Sequence, residues 1–567
     1  MSNVPVKAIT AVSAVATYIL VEHQPGLLLF SRPSYLGTFS QLFIVGFMLF
    51  AVWRVILWPK FVSPLRHLPG PSGGSWWNGQ FPDILARPTG IPMIEWINSV
   101  PNEGLIRYLG LLNAERLIIA SPKALGEVLV AKNYDFVKPA HVTAGLGRLL
   151  GVGVLLAEGD EHKFQRKNLA PAFSFRHTKD LYPVFWDKSR EVVQKMTEKV
   201  NSGGDALQQD FKDPKDLAKS PVSDGTPVLE VGSWAGRATL DIIGVAGMGQ
   251  DFGAIQDPDN LLSVTYQKIF RPTKAAAVLA LVGLLLPTWL VRALPVKRNE
   301  DLNHASGVIR DTCRQLIRSK KEKLEKGELQ DVDILSVALE SGGFTDENLV
   351  DQLMTFLAAG HETTATAITW AVYMLCLFPE MQTRLRAEIR DHLPSINNDS
   401  TVTSQQIDRM PYLNAVCSEL LRYYAPVPLT PRIAARDTTI IGQKVPKGTQ
   451  VMLVPWAVNK AENLWGPDAG KFNPDRWLPS DKNPQSANGG APSAYSLLTF
   501  LHGPRSCIGQ SFAKAEFACL LAAWIGRFEF ALFDENERDE KNIKIKGGVT
   551  ARPANGMYVK TKVVDGW

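Results

Sequence analysis

The chain has 567 residues, of which 45% are hydrophobic and 21% are charged, and its formal net charge is +5. Such a small charge, without a basic tract interleaved with aromatic residues, argues against nucleic-acid binding. The length alone would allow roughly two to four domains, and the apolar content suffices for a large core. The five cysteines form no Cys-x-x-Cys pair, which indicates a reduced compartment and argues against a disulfide framework.

Two apolar stretches in the first sixty residues predict an amino-terminal membrane anchor, residues 1–60. The stretch 8–21, at about 1.5 Å per residue, is too short for a hydrocarbon core about 30 Å thick. Whether it spans, lies at the interface or is a long signal peptide stays open. The stretch 41–58 is predicted to span the membrane. Aromatic and basic residues flank it: Trp53, Arg54, Trp58, Lys60 and Arg66. Their positive charge predicts that the rest of the chain faces the cytosol.

Three segments after the anchor have sequence patterns that predict their local structure. Prolines and glycines in 61–75, including the run 68–71, cannot continue a helix and predict a stiff hinge before one catalytic domain, 76–567. The apolar run 275–286 is too short to span a membrane and predicts a core helix. Residues 437–454 alternate and carry turn residues, which predicts short strands.

The run from Leu349 to Leu377 is apolar with few breakers and predicts one long helix. Glu362 and Thr363 lie within it. A threonine hydroxyl can bond back to the carbonyl four residues earlier, here that of Ala359, which loosens the helix locally and makes space for water. Such water can carry protons. Taken alone, however, a Glu-Thr-Thr motif on a helix is ordinary polar surface.

Residues 500–509 follow the pattern Phe-x-x-Gly-x-Arg-x-Cys-x-Gly. A lone cysteine is ordinarily a small buried residue, but this spacing arises by chance about once in ten thousand such chains. Gly503 and Gly509 allow backbone amides to approach the Cys507 sulfur. The helix predicted to start there favours the thiolate, and Arg505 adds a cation suited to carboxylates. The segment therefore predicts a metal-thiolate site.

In this order, these segments resemble the cytochrome P450 superfamily, and the anchor and hinge resemble its membrane-anchored microsomal members, especially fungal ones. The resemblance covers residue 64 to the carboxyl end. It implies a mainly α fold, a helical triangular prism with a smaller β-rich region. It also implies haem b, with Cys507 as the axial iron ligand, and O₂ as co-substrate.

The resemblance assigns further roles. In the long helix, Gly360 leaves room for a diatomic ligand, and Glu362 and Thr363 deliver protons. The residues implied to bind the haem are Phe500, Gly503, Arg505, Cys507, Gly509, Arg432, Arg166 and His162. His162 departs from the family, which usually has Trp there. It can donate a ring N–H to a propionate and charge near neutral pH, or it is a solvated helix residue.

Glu419 and Arg422 lie three apart on one predicted helical face, which alone indicates little. The segment 472–477 resembles the family's Phe-x-Pro-x-Arg motif, and the resemblance implies a buried structural triad of Glu419, Arg422 and Arg476. Lys163, Lys167 and Lys514 are either reductase-docking cations or ordinary surface residues. The run 275–286 either belongs to the core or dips into the membrane.

The implied function is a monooxygenase of specialised metabolism that inserts one oxygen atom from O₂ into a hydrophobic substrate. Electrons come from NADPH through a separate NADPH-cytochrome P450 reductase, with cytochrome b5 as a second partner, at the endoplasmic reticulum membrane. Stretches 138–150, 356–360, 427–433 and 547–550 would line the pocket. The alternatives are an electron-independent haem-thiolate isomerase or dehydratase, and a non-catalytic membrane haem protein.

Overall fold

The computed structural model describes residues 5–24, 34–205, 225–270, 278–279, 282–283, 286, 288–328, 333–480, 486–546 and 548–567. Two compact units divide the chain. The first unit comprises residues 1–87, 95–137 and 431–453, and the second comprises 88–94, 138–430 and 454–567. The first unit thus joins the amino-terminal segment with strands from later parts of the chain. The division into anchor, hinge and catalytic domain stays a prediction.

Helices dominate the described residues. They are α1 Val6–His23, α2 Tyr35–Val52, α3 Phe81–Ala86, α4 Ile91–Ser99, α5 Pro122–Gly126, α6 Ala140–Leu150, α7 Gly159–Leu169, α8 Phe175–Asp180, α9 Tyr182–Asn201, α10 Val231–Met248, α11 Leu261–Phe270, α12 Thr288–Ala293, α13 Lys297–Glu325, α14 Ile334–Glu340, α15 Asp346–Leu377, α16 Pro379–His392, α17 Ser404–Asp408, α18 Pro411–Tyr423, α19 Pro455–Val458, α20 Glu462–Trp465 and α21 Gln510–Arg527. Two π-helical stretches, Trp53–Val62 and Glu127–Ala131, continue α2 and α5.

The strands are short. They are β1 Leu105–Leu109, β2 Glu115–Ile119, β3 Phe136–Val137, β4 Val228–Glu230, β5 Thr430–Ala434, β6 Thr438–Ile440, β7 Gln443–Val445, β8 Gln450–Leu453, β9 Phe528–Leu532, β10 Ile545–Lys546, β11 Arg552–Pro553 and β12 Tyr558–Val563. They form sheets in the orders β1-β2-β8-β5-β3, β4-β12-β9, β6-β7 and β10-β11. The strands predicted within 437–454 are present as β6, β7 and β8.

The first unit contains both amino-terminal helices. α1 has 18 residues, and α2 with its π-helical extension has 28; each is long and apolar enough to cross a membrane by length and composition. The helices extend beyond the predicted stretches 8–21 and 41–58 at both ends. They pack closely, since a Cβ at Gly46 would lie 3.2 Å from Ile9 Cγ2.

The predicted hinge lies along the first sheet. The Arg107 amide of β1 donates to the Pro69 carbonyl at 2.8 Å, and the Asn113 amide group donates to the Val55 carbonyl at 2.8 Å. Arg107 also donates through its guanidinium to the Pro59 carbonyl. These bonds connect the end of the second anchor helix to the strands that follow it.

In the second unit, α15 forms the centre of the core. It starts three residues before the predicted Leu349, because Thr345 caps it by accepting from the Asn348 amide, and it ends at Leu377 as predicted. Its side chains are buried along most of its length. α10 crosses beside it, where the Thr239 hydroxyl donates to the His361 carbonyl at 3.0 Å. The predicted run 275–286 lies mostly outside the described residues.

Candidate active site

The cysteine loop of the second unit is closed by its own backbone. The Cys507 amide donates to the Phe500 carbonyl at 2.9 Å. Gly503 adopts a φ of +75°, a left-handed conformation that favours glycine. Gly509 has an ordinary φ of −88°, so its backbone does not require glycine. A Cβ there would instead contact Phe173 at 3.6 Å.

The Cys507 side chain has accessible surface, although protein atoms surround it closely. The sulfur is therefore accessible although many protein atoms lie around it. Burial raises the pKa of Cys507 above its usual value, while the Gly509 amide and Arg166 oppose that rise. The predicted thiolate stabilisation by the loop is thus outweighed by desolvation in the protein alone, because burial disfavours the charged form.

Buried basic side chains lie beside the loop. Arg505 is only 9% exposed, and Arg166 donates to the Ser506 carbonyl at 2.6 Å. His162 is 2% exposed, which contradicts the alternative of a solvated helix residue. Desolvation, with the nearby cations Arg505, Lys138 and Arg166, lowers the pKa of His162 to about 4. The imidazole is therefore neutral at pH 7 and does not charge there by itself.

Glu158, which sequence reasoning missed, is the carboxylate in this cluster. It forms an ion pair with Arg505 and accepts from the Lys138 amide at 2.9 Å. Its position immediately before α7 was the only available sign, because acidic residues are common where helices begin. Its partner Arg505 lies 347 residues further along the chain.

The polar motif of α15 has the geometry that the sequence predicts. The Thr363 hydroxyl donates to the Ala359 carbonyl at 2.8 Å. Ala359 is exposed although its helical neighbours are largely buried, so this part of α15 is accessible. Glu362 is 7% exposed, and its Oε1 accepts from the Thr550 hydroxyl at 3.0 Å and lies 3.1 Å from Arg552 Nη1.

Gly360 has a packing partner that the sequence did not reveal. A Cβ at this position would lie 3.0 Å from Ile243 Cγ1 and 3.1 Å from its Cδ1. The absence of a side chain therefore allows α10 to approach α15 closely. The predicted role of Gly360 beside a diatomic ligand stays a prediction.

Aromatic contacts connect α15 to the cysteine loop. The rings of Phe173 and Phe356 meet edge to face with centroids 5.3 Å apart, and Phe173 borders Gly509. Further along, Glu516 of α21 is fully buried, and neither carboxyl oxygen meets hydrogen-bond geometry. Desolvation raises the pKa of Glu516 well above its usual value, and the smaller effect of the nearby Thr364, which lowers this pKa, does not offset it.

The structure brings Glu419, Arg422 and Arg476 together. Arg422 holds the Glu419 carboxylate through two bonds of 2.8 and 2.7 Å, and Arg476 Nε lies 3.2 Å from it. The Trp477 indole and the Asn473 amide also donate to Glu419. Arg422 in turn donates to three backbone carbonyls, those of Asn459, Ala469 and Lys471, so the triad fastens the segment 459–477 to α18.

The remaining predicted residues lie on β5, α7 and α21. Arg432 is buried in β5 of the first unit, and its role toward a propionate stays a prediction. Lys163 and Lys167 are exposed on α7, where Lys163 pairs with Asp160 at 2.7 Å. Lys514, on α21, extends over the Phe500 ring at 5.7 Å.

The family model of cytochrome P450 matches residues 103–559. The chain belongs to the cytochrome P450 family. It is 47% identical over 555 residues to cytochrome P450 monooxygenase FUM15 of Gibberella moniliformis, covering 90% of this chain and 91% of that protein. It is 46% identical over 523 residues to cytochrome P450 monooxygenase sphH of Aspergillus fumigatus, covering 91% of each. The protein is thus an enzyme of the cytochrome P450 monooxygenase type, and its mainly α fold with small sheets agrees.

The residues of this P450 fit the family's haem. A thiol suited to iron is accessible in the cysteine loop, and buried Arg505 and His162, with Arg166, lie next to it. Carboxylates such as propionates are the groups that buried guanidinium ions and a neutral imidazole N–H accommodate. Among the described residues, there is no group of three or more His, Cys, Asp or Glu side chains placed to hold another metal.

Proposed function

We propose that this P450 is a membrane-anchored haem-thiolate monooxygenase that inserts one oxygen atom from O₂ into a hydrophobic organic substrate. The observation that carries the proposal is the Cys507 thiol, which is accessible and lies beside buried basic side chains. Cys507 would ligate the iron, and Arg505, Arg166 and His162 would hold the propionates; the role predicted for Arg432 stays a prediction. The bound haem supplies the binding and reductive activation of O₂.

The residues of α15 manage protons in this proposal. The hydroxyl of Thr363 bonds to the Ala359 carbonyl, which occupies an acceptor of the helix and leaves space for water beside it. Glu362, held by Thr550 and Arg552, lies one residue before it. A carboxylate beside ordered water can pass protons from solvent to the reacting site, which is the contribution of a general acid.

The electrons would come from NADPH through a separate NADPH-cytochrome P450 reductase, with cytochrome b5 as a second donor, since the sequence has no flavin or nicotinamide fingerprint. α1 and α2 would anchor the enzyme in the endoplasmic reticulum membrane with the catalytic domain in the cytosol. Lys163, Lys167 and Lys514 are candidate contacts for the reductase.

The substrate is proposed to be a lipophilic small molecule of specialised metabolism. α6, whose residues include Leu146 and Leu149 packed at the edge of the core, and the stretch 356–360 of α15 would contribute apolar lining. Relatives from filamentous fungi, all named cytochrome P450 monooxygenases, agree with this class of enzyme.

The test begins with the purified full-length protein. A reduced, carbon-monoxide-bound spectrum with the Soret band of a thiolate ligand is expected for the wild type and not for Cys507→Ala. Turnover of a compound found by a spin-state screen should then require NADPH and reductase. Turnover without electrons would favour the isomerase or dehydratase alternative, and no thiolate spectrum would refute the proposal.

Thr363→Ala separates the proton-handling role from haem binding. The variant should retain the thiolate-type spectrum, yet consume more NADPH per product and release hydrogen peroxide. Thr363→Ser, which keeps the hydroxyl, is the matched control and should stay near wild type. Unchanged coupling in Thr363→Ala would contradict the role assigned to this residue.

A further inference from the structure

The Glu362 carboxylate lies where two side chains of one carboxyl-terminal segment converge. The Thr550 hydroxyl donates to its Oε1 at 3.0 Å. Arg552 Nη1 lies 3.1 Å from the same oxygen and 3.5 Å from Oε2. The two residues follow Glu362 by 188 and 190 positions, so no local pattern connects them to α15.

The backbone of that segment is tied to α15 itself. Ala551, between Thr550 and Arg552, uses both of its backbone groups: its amide donates to the Pro426 carbonyl at 2.9 Å, and its carbonyl accepts from the Trp370 indole at 2.8 Å. Trp370 lies about two turns after Glu362 on the same helix. These two bonds therefore hold the backbone that carries Thr550 and Arg552 in a defined position relative to Glu362.

The exposure of the pair differs between its members. The side chain of Glu362 is 9% exposed, whereas that of Arg552 is 34% exposed. A buried carboxylate is strongly disfavoured without a compensating partner. Arg552 provides that partner and also reaches water, so it joins the buried acid to the solvent side of the segment.

We propose that Arg552 and Thr550 are positioning residues that hold the Glu362 carboxylate ready to deliver protons; this rests on the function proposed above. Loss of the guanidinium leaves the carboxylate uncompensated, and the acid leaves its position beside Thr363. O₂ that has taken up two electrons from NADPH then takes up two protons and departs as hydrogen peroxide, and less substrate is oxygenated.

Two measurements on reconstituted holoenzyme test the proposal. The first is peroxide released per NADPH consumed, with the strongest compound from the spin-state screen as substrate. The second uses carbon monoxide on the reduced protein as a probe, because its infrared stretch responds to polar groups near the bound gas. The variants are Arg552→Gln, Arg552→Lys, Thr550→Val and Glu362→Gln, with the double variant of Glu362→Gln and Arg552→Gln. Arg538→Gln, which breaks an exposed pair with Glu535 at 2.9 Å, is the control.

Arg552→Gln should raise the ratio of peroxide to product about tenfold, less than the roughly hundredfold or more expected for complete loss of a general acid, because Glu362 itself remains. It should also shift the carbon monoxide band. Arg552→Lys should restore most of the coupling, Thr550→Val should show a smaller effect, and Arg538→Gln should match wild type. In the Glu362→Gln background, Arg552→Gln should add nothing, since both act through one carboxylate.

Wild-type coupling in both Arg552→Gln and Thr550→Val would overturn the proposal. So would an Arg552→Gln effect that persists at full size in the Glu362→Gln background. If Arg552→Gln fails to fold, Thr550→Val decides the matter, because wild-type coupling in that variant would then overturn the proposal. A wild-type protein without a thiolate-type spectrum would refute the proposed function, whereas a normal wild type with unaffected variants would refute only the positioning role.

Discussion

The Glu419 triad allows a stability prediction with an internal control. Glu419 is fully buried, and its carboxylate accepts from Arg422, Arg476, the Trp477 indole and the Asn473 amide. Glu419→Gln keeps the shape of the side chain but removes the charge and places an NH₂ among donors. Arg422, which is also fully buried, is then left without its carboxylate.

Removing one partner of a buried ion pair costs about 3–5 kcal/mol. The hydrogen bonds that Glu419 accepts come from Arg422 and from the groups packed around this pair. The nearby pair of Arg384 and Asp475, with a separation of 2.7 Å, has side chains that are 50% and 60% exposed. An exposed pair contributes at most about 1 kcal/mol. Asp475→Asn is therefore a matched control, since it removes the same charge from an exposed side chain next to Arg476, within the segment that the triad fastens.

The measurement is thermal unfolding of the purified full-length protein, followed by circular dichroism and by loss of the haem absorbance. For a unit of this size, the loss for Glu419→Gln corresponds to a fall in Tm of about 3–6 °C. Asp475→Asn should change Tm by no more than about 1 °C. Equal effects of the two substitutions would refute the argument that burial makes this triad structural.

Three further outcomes follow from the second unit. Gly360→Ala should lower stability by about 1 kcal/mol in thermal unfolding, because its Cβ would crowd Ile243 Cγ1 at 3.0 Å. In an Ile243→Ala background, which lacks that atom, Gly360→Ala should cause no further loss; a lone variant as stable as wild type would count against this packing. Burial raises the pKa of Glu516, so the folded state holds a proton that the unfolded state releases above its pKa of about 4.3. The free energy of unfolding should therefore fall with rising pH, by up to about 1.4 kcal/mol per pH unit. Glu516→Gln should remove that slope between pH 5 and 8, and an unchanged slope would show that Glu516 is not its source. His162→Leu should speed haem transfer to apomyoglobin about tenfold, because it loses one hydrogen bond to a charged group. His162→Gln, which keeps a donor, should transfer haem at the wild-type rate. Equal transfer rates for His162→Leu and wild type would argue against the propionate role.

The sequence by itself determined the features that depend on neighbouring residues. The spacing around Cys507, the long apolar run that became α15 and the bond from Thr363 to Ala359 follow from local pattern, because the residues involved lie within a few turns of one another. The family assignment rests on such patterns repeated in a fixed order. The two amino-terminal apolar stretches were also visible, although their ends were not, because capping and the π-helical extension depend on details beyond hydropathy.

Only the tertiary structure decided which distant side chains meet and which charged groups are buried. Glu158 reaches Arg505 across 347 residues, and Thr550 reaches Glu362 across 188. The residues around His162 have the composition of a surface helix. In the folded protein, however, His162 is only 2% exposed and its pKa is lowered. Burial and ion pairing are properties of the folded packing, since desolvation depends on every element placed around a group and not on its own segment.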